Sequence, residues 1–367
     1  MQARGDGTRY NGIGGNARRL WGPLAAAGVV VALTTGSAGL VDSAGTVSTG
    51  TAPREARVIR DIAYAPADPA GSRGHLLDLY LPATPRGNRP LLIWTGGSAW
   101  LADNGKDSAG PIAEVFTAKG YAVAGVSIRS STQAVFPAQV HDIKAAIRWL
   151  RANARRHGLD PGRFAVMGDS SGGWTTAMAA LTGGVRALEG RVGVTGVDSR
   201  VQAAVAFYPP TDFAQMDGQM LPGACAAFNE LLGIQDCHDD PLSPESRLVG
   251  CAIQTCRPAV ARANPITYVD RDQPPMMILH GQVDQLVPHA QSILLYNALR
   301  ARCAETTFFS VPGAGHDFRQ VLDPANHGAH TVYRTRGCQE RITVGAPSPS
   351  WDAIDEFIAA ALNRHGK

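Results

Sequence analysis

Phe164-Ala165-Val166-Met167-Gly168-Asp169-Ser170-Ser171-Gly172-Gly173-Trp174 is the stretch on which the fold of this sequence turns. Four apolar residues read as a buried strand, and Trp174–Leu181 continues as a helix after the glycines. A serine at such a junction sits on a strained turn with its hydroxyl held clear of the backbone. Small residues two positions before and after it let the strand and the helix approach closely. Ser170 has glycine at both of those positions and Ser171 does not. Ser170 is therefore the candidate nucleophile, and the backbone amide of Ser171 is a candidate donor to a developing oxyanion.

Working outward, strand and helix patterns alternate from about residue 57. Val58–Tyr64, Leu76–Leu81, Leu91–Trp94 and Tyr121–Ile128 read as strands, with a helix over Gly110–Lys119 stopped by Gly120. Val140–Arg156 places Ile143, Ala146, Ile147 and Leu150 on one helical stripe, and Gly158 ends it after Arg155, Arg156 and His157. Strands at Val201–Phe207, Met276–Leu279 and Thr307–Val311 follow, with a helix over about 289–302 and a last helix over Trp351–Asn363. This alternation predicts an α/β fold with a mostly parallel central sheet flanked by helices. Residues 211–265 break the alternation and read as a cysteine-rich insertion near the active site. Residues 319–349 form a second irregular stretch.

A serine alcohol needs an adjacent base to act as a nucleophile near neutral pH. Of ten histidines, His316 stands in a loop, Pro312-Gly313-Ala314-Gly315-His316, directly after an apolar strand. His141 and His157 fall on or at the end of a helix, and His238, His327 and His330 in irregular polar segments. Asp284 lies just past the Met276–Leu279 strand, where its carboxylate can hold the imidazole in one tautomer; the plain alternative is a cap for the helix near Pro288. Asp317, adjacent to His316, points away from it in most loop conformations. The order Ser170, Asp284, His316 is that of α/β-hydrolases. The string Gly-Asp-Ser-Ser-Gly-Gly has a superficial likeness to trypsin-like proteases. Those are all-β chains with histidine and aspartate upstream of the serine, which excludes them. Trp94-Thr95-Gly96-Gly97-Ser98-Ala99-Trp100, after another strand, offers the amides of Gly97 and Ser98 as further oxyanion donors beside Ser171.

The chain has 367 residues and a formal charge of +3, with no arginine-rich arm or aromatic–basic alternation, so no nucleic-acid partner is expected. Arg18-Arg19 precede an apolar run from Leu20 to about Val41, with small residues at Gly36-Ser37-Ala38. Residues 1–41 thus read as a cleaved signal peptide, or as a membrane anchor if uncleaved, and the paired arginines loosely match a twin-arginine signal. Residues 42–56 read as a flexible leader, and 57–367 as the catalytic domain. Six cysteines in an exported chain fit disulfides. A Cys303–Cys338 bond with two more among Cys225, Cys237, Cys251 and Cys256 is one choice among fifteen pairings. The spacing of that cluster lacks the short ligand steps of zinc sites. Asp239 and Asp240 beside His238 read as a solvated acidic turn rather than a cation site. No metal or organic cofactor is expected.

Several stretches together resemble the esterase group of α/β-hydrolases that includes hormone-sensitive-lipase-like enzymes and the bifunctional feruloyl and acetylxylan esterases. They are Leu77-Asp78-Leu79-Tyr80-Leu81-Pro82, Phe136–Leu150 (which points to the feruloyl/acetylxylan branch), Gly168–Gly173, His280–Pro288 and Gly315-His316. That group carries His-Gly-Gly before a small residue and Trp; here Thr95 replaces the histidine, and the step to Trp100 is longer. The resemblance implies a serine carboxylic-ester hydrolase that forms an acyl-enzyme with small-molecule or polymer-linked esters. A prolyl-oligopeptidase-like peptidase is the alternative enzyme, although residues 1–56 are too few for the propeller of that group. A catalytically silent binding module is the other alternative. Trp100, Trp174, Tyr208 and Phe213 are candidates either for the cleft wall or for the core.

Overall fold

In the computed structural model, the chain divides into two units, residues 1–50 and 51–367. The structure describes residues 57–83 and 87–364, all within the second unit. The expected signal or anchor (1–41) and leader (42–56) lie outside the described residues. Ten strands form one sheet: β1 (Arg57–Ala63), β2 (Leu76–Leu81), β3 (Arg89–Thr95), β4 (Ala122–Val126), β5 (Leu159–Asp169), β6 (Ala203–Phe207), β7 (Met276–Gly281), β8 (Thr306–Val311), β9 (Thr331–Arg336) and β10 (Gln339–Val344). Their spatial order is β1-β2-β4-β3-β5-β6-β7-β8-β9-β10. Pairs from β4 through β3, β5, β6 and β7 to β8 are parallel, and the strands at both edges are antiparallel.

The central strands carry apolar residues on both faces because both faces are covered. Along β3, Leu91 and Ile93 enter one core and Leu92 and Trp94 the other. The helices supplying this cover include α1 (Ala109–Ala118), α2 (Ala138–Ala152), α3 (Ser171–Leu181), α7 (Ala290–Ala301) and α8 (Trp351–Leu362), with α4–α6 described below. α2 carries Ile143, Ala146, Ile147 and Leu150 into the first core, as its stripe predicts, while Ile354 and Ile358 of α8 enter the second.

Between β6 and β7 the chain is helical, with α4 (Ala224–Leu232), α5 (Pro244–Val249) and α6 (Arg257–Ala263) as its main pieces. Phe228, Ile234 and Cys237 of this stretch form a small apolar cluster against Leu286, and Leu248, Ile253, Val260 and Ala263 join Trp100, Trp174 and Val287 in another. The second stretch expected to be irregular, 319–349, instead holds the β9–β10 hairpin. Arg336 pairs with Gln339 across a two-residue turn, and Gly337 and Cys338 both have positive φ, at 55° and 66°. That geometry matches the right-handed twist of the strands. The hairpin is a polar edge, exposed over most of β10, so it lacks the apolar signature of a buried strand.

Candidate active site

β5 ends at Asp169 and α3 begins at Ser171, leaving Ser170 between them at φ 56° and ψ −123°. A side chain held there costs on the order of 1–3 kcal/mol, so its surroundings must over-determine it. The Ser170 amide donates to the Phe207 carbonyl at 3.0 Å, and the Ser170 carbonyl accepts from the Trp174 amide at 2.9 Å. A Cβ at Gly168 would lie 2.5 Å from the carbonyl oxygens of Thr95 and Gly172, and one at Gly172 would collide with Thr95. The flanking glycines are what permit strand and helix to close on the turn.

β7 and β8 deliver the other two expected residues to the same rim. The Ser170 hydroxyl donates to His316 Nε2 at 2.9 Å, and His316 Nδ1–H donates to Asp284 Oδ2 at 2.7 Å. Asp284 Oδ1 accepts from the amides of Leu286 (2.8 Å) and Val287 (3.0 Å). The carboxylate therefore does both jobs weighed in the sequence: one oxygen caps the turn and the other meets the imidazole. Burial by itself would raise the Asp284 pKa, but the adjacent His316 and His280 hold it well below the usual carboxylate range. For His316, burial pulls the pKa down, and the attraction and hydrogen bond of Asp284 more than reverse this, leaving it raised. Asp317 turns away, its Oδ1 accepting from the Arg319 amide at 2.8 Å.

The three expected oxyanion donors differ in their engagement. The Gly97 amide donates to Asp169 Oδ1 at 2.8 Å, and the Ser98 amide to Ser171 Oγ at 2.9 Å. Only the Ser171 amide, at the start of α3, has no intrahelical acceptor available. Ala99 and Trp100 follow with φ of 51° and 54°, so the loop coils tightly where the sequence departs from the esterase pattern.

Asp169 and His280 escaped the sequence reading, and Tyr208 was there only one of four candidate aromatics. Asp169 is half-buried, and besides Gly97 it accepts from the Tyr208 hydroxyl at 3.3 Å; desolvation pushes its carboxyl pKa up. The Tyr208 hydroxyl accepts from the Phe318 amide at 2.9 Å, and its ring lies 4.4 Å from that of His316. His280, fully buried, shares its Nε2–H between Asp284 Oδ2 (3.2 Å) and the Val287 carbonyl (3.0 Å), and its Nδ1 accepts from Ser292 Oγ at 2.7 Å. The available signal was position: Asp169 adjoins the nucleophile, and His280 precedes Asp284 by four residues at a strand end.

Trp100, Trp174 and Phe213 are core residues, packed edge-on at 5.3 and 5.7 Å, whereas the ring of Tyr208 lies against that of His316. The cysteines pair as Cys225–Cys237, Cys251–Cys256 and Cys303–Cys338; the last is the bond expected from sequence, and the other two fall inside the cluster, whose internal pairing the sequence left open. Among the described residues, Asp217, Cys237 and His238 hold ligand-type atoms close together. The Cys237 sulfur is committed to its disulfide, and both His238 nitrogens donate, to Asp217 Oδ1 at 2.6 Å and to the Leu286 carbonyl at 3.0 Å. His238 thus ties the helical stretch to the Asp284 loop. Asp240 accepts from the amides of Gln235, Asp236 and Leu242, as in an ordinary turn. Among the described residues, no helix is long and apolar enough to cross a membrane.

The BD-FAE family matches residues 77–299. Esterase LipQ of Mycobacterium tuberculosis is 30% identical over 308 residues, covering 81% of this chain and 68% of LipQ. The probable carboxylic ester hydrolase LipM of the same organism is 28% identical over 306 residues, covering 81% of this chain and 66% of LipM. Among solved structures, a truncated carbohydrate esterase from gut microbiota superposes with a TM-score of 0.67 at 29% identity, covering 85% of this chain and 98% of that one. A bifunctional GH43-CE protein of Bacteroides eggerthii gives 0.66 at 32% identity, covering 83% of this chain and 35% of that one. With the α/β-hydrolase sheet and these relatives together, the chain belongs to the BD-FAE family and is a carboxylic-ester hydrolase.

Proposed function

We propose that the chain hydrolyses esters by acyl transfer through Ser170, with His316 as base and then acid and Asp284 as its orienting carboxylate. The continuous line from Ser170 Oγ to His316 Nε2 (2.9 Å) and from His316 Nδ1 to Asp284 Oδ2 (2.7 Å) is the observation that carries this reading. Ser170 Oγ attacks the acyl carbon while its proton moves to Nε2, forming an imidazolium beside the ionised Asp284. Collapse of the tetrahedral species expels the alcohol, which takes that proton. A water then repeats the sequence on the acyl-enzyme and frees the acid. The amide of Ser171 meets the oxyanion directly; those of Gly97 and Ser98, bound to Asp169 and to Ser171 Oγ, reach it only by leaving those partners.

The substrate class is a small-molecule or polymer-linked ester, and esters of carbohydrate alcohols are the leading choice because of the carbohydrate esterase from gut microbiota whose structure it resembles. Residues 57–367 form the catalytic domain, with 211–265 inserted over the rim. Export through residues 1–41, with 42–56 as the leader, is supported by three disulfides that use all six cysteines, since such bonds persist in oxidising compartments. Amino-terminal sequencing of protein recovered from the medium tests this: a start near residue 39 supports cleavage.

A panel of acetyl, butyryl, octanoyl and feruloyl esters, with an acetylated sugar, tests the chemistry on wild type and Ser170→Ala. The expected result is loss of all hydrolysis in the variant, with a fluorophosphonate adduct mapped to Ser170 in the wild type. Undiminished turnover by Ser170→Ala refutes the assignment.

A further inference from the structure

Of the amides lining the nucleophile, two are occupied by side chains from the elbow itself. Asp169 takes Gly97, and Ser171 Oγ takes Ser98 at 2.9 Å. Ser171 is 4% exposed, and its hydroxyl acts there only as an acceptor. Among the described residues, that hydroxyl proton has no acceptor of its own. A buried donor lacking an acceptor is unusual in a resting protein. Here it sits on the residue beside the nucleophile, whose amide has no intrahelical acceptor, at the positive end of the eleven-residue helix α3.

We propose that Ser171 is a catalytic residue in its own right, stabilising the oxyanion with its side-chain hydroxyl as well as its amide. The hydrogen bond from Ser98 then plays a supporting part. It fixes one lone pair of Ser171 Oγ and polarises the O–H, which strengthens the hydroxyl as a donor. As the bond from Ser170 Oγ to the acyl carbon forms, the carbonyl π pair moves onto oxygen and the Ser170 proton passes to His316 Nε2. The new oxyanion accepts Ser171 N–H and Ser171 Oγ–H without taking either proton. On collapse that pair re-forms the carbonyl, the bond to the alcohol oxygen breaks, and the alcohol leaves with the proton from His316. With Gly97 engaged elsewhere, the hydroxyl supplies a donor that the loop does not. This inference rests on Ser170 being the nucleophile.

The test compares Ser171→Ala and Ser171→Thr with wild type, using p-nitrophenyl acetate as substrate and phenylboronic acid as inhibitor. The boronate adduct on Ser170 is tetrahedral and anionic, so it reads the same donors. The alanine variant is expected to lose roughly 10–100-fold in kcat with little change in KM, and boronate binding is expected to weaken by at least tenfold. Threonine, which keeps the hydroxyl, is expected to recover most of both losses. Thermal unfolding and the final extent of fluorophosphonate labelling verify that each variant folds with a competent Ser170. An alanine variant as fast as wild type, or faster, overturns the proposal, because the hydroxyl would then be blocking the Ser98 amide. Equal losses in both folded variants also overturn it. Activity persisting in Ser170→Ala would instead remove the nucleophile assignment beneath it.

Discussion

Replacing Asp284 by asparagine examines the electrostatic design with almost no change in shape. The amides of Leu286 and Val287 donate to Oδ1 at 2.8 and 3.0 Å, so they hold the carbonyl oxygen of the new amide in that place. Its NH₂ group then stands where Oδ2 was, facing His316 Nδ1, which lay 2.7 Å from that oxygen. Nδ1 must accept rather than donate, which moves the ring proton to Nε2. A protonated Nε2 cannot accept from Ser170 Oγ. The wrong tautomer in a serine hydrolase lowers kcat by about 10⁴-fold, equivalent to about 5 kcal/mol of barrier. His280 Nε2–H also loses its carboxylate contact at 3.2 Å, so a stability loss of about 1–3 kcal/mol accompanies the change. Steady-state hydrolysis of p-nitrophenyl acetate, with circular dichroism to confirm folding, measures the effect. A folded Asp284→Asn enzyme within tenfold of wild-type kcat refutes the reasoning.

His316 acts as a base only when neutral, and its pKa lies above the ordinary histidine value. The kcat/KM profile should therefore rise with pH through an apparent pKa above about 6.5, and Asp284→Asn should shift that limb to lower pH. His280→Ala strips Ser292 and the second contact of Asp284, and should reduce unfolding free energy by about 2–4 kcal/mol in urea titration, with a smaller loss of kcat than Asp284→Asn. Removing Cys303–Cys338, which spans 35 residues, should cost about 4 kcal/mol in denaturant unfolding. Removing Cys251–Cys256, which spans 5, should cost about 2.

The convergence of Ser170, Asp284 and His316 was legible because each sits where an apolar strand gives way to a loop, and strand ends are visible in hydropathy alone. The Cys303–Cys338 bond was legible for a related reason, since the other four cysteines crowd into one segment, but which of those four pair was not. β9 and β10 were not, since an exposed hairpin carries polar residues on both faces and its turn, Gly337-Cys338, contains no proline or asparagine. The engagement of the Gly97 and Ser98 amides was equally hidden. Amide direction follows from backbone angles, and composition does not announce a loop whose non-glycine residues Ala99 and Trp100 both take positive φ. Asp169, Tyr208 and His280 gain their roles only from partners brought together by folding, with 39 residues separating Tyr208 from Asp169.

Ser170 and His316 meet across 146 residues of chain. They do so because β5, β6, β7 and β8 lie side by side in the same direction, each reached by a crossover rather than a hairpin. Such long-range pairings close late, since large loops must be ordered before any contact rewards them. Helical signal should therefore return early when the denatured chain is diluted into buffer, and esterase turnover should be the last property to reappear. Catalysis itself then serves as a clock for completion of the sheet.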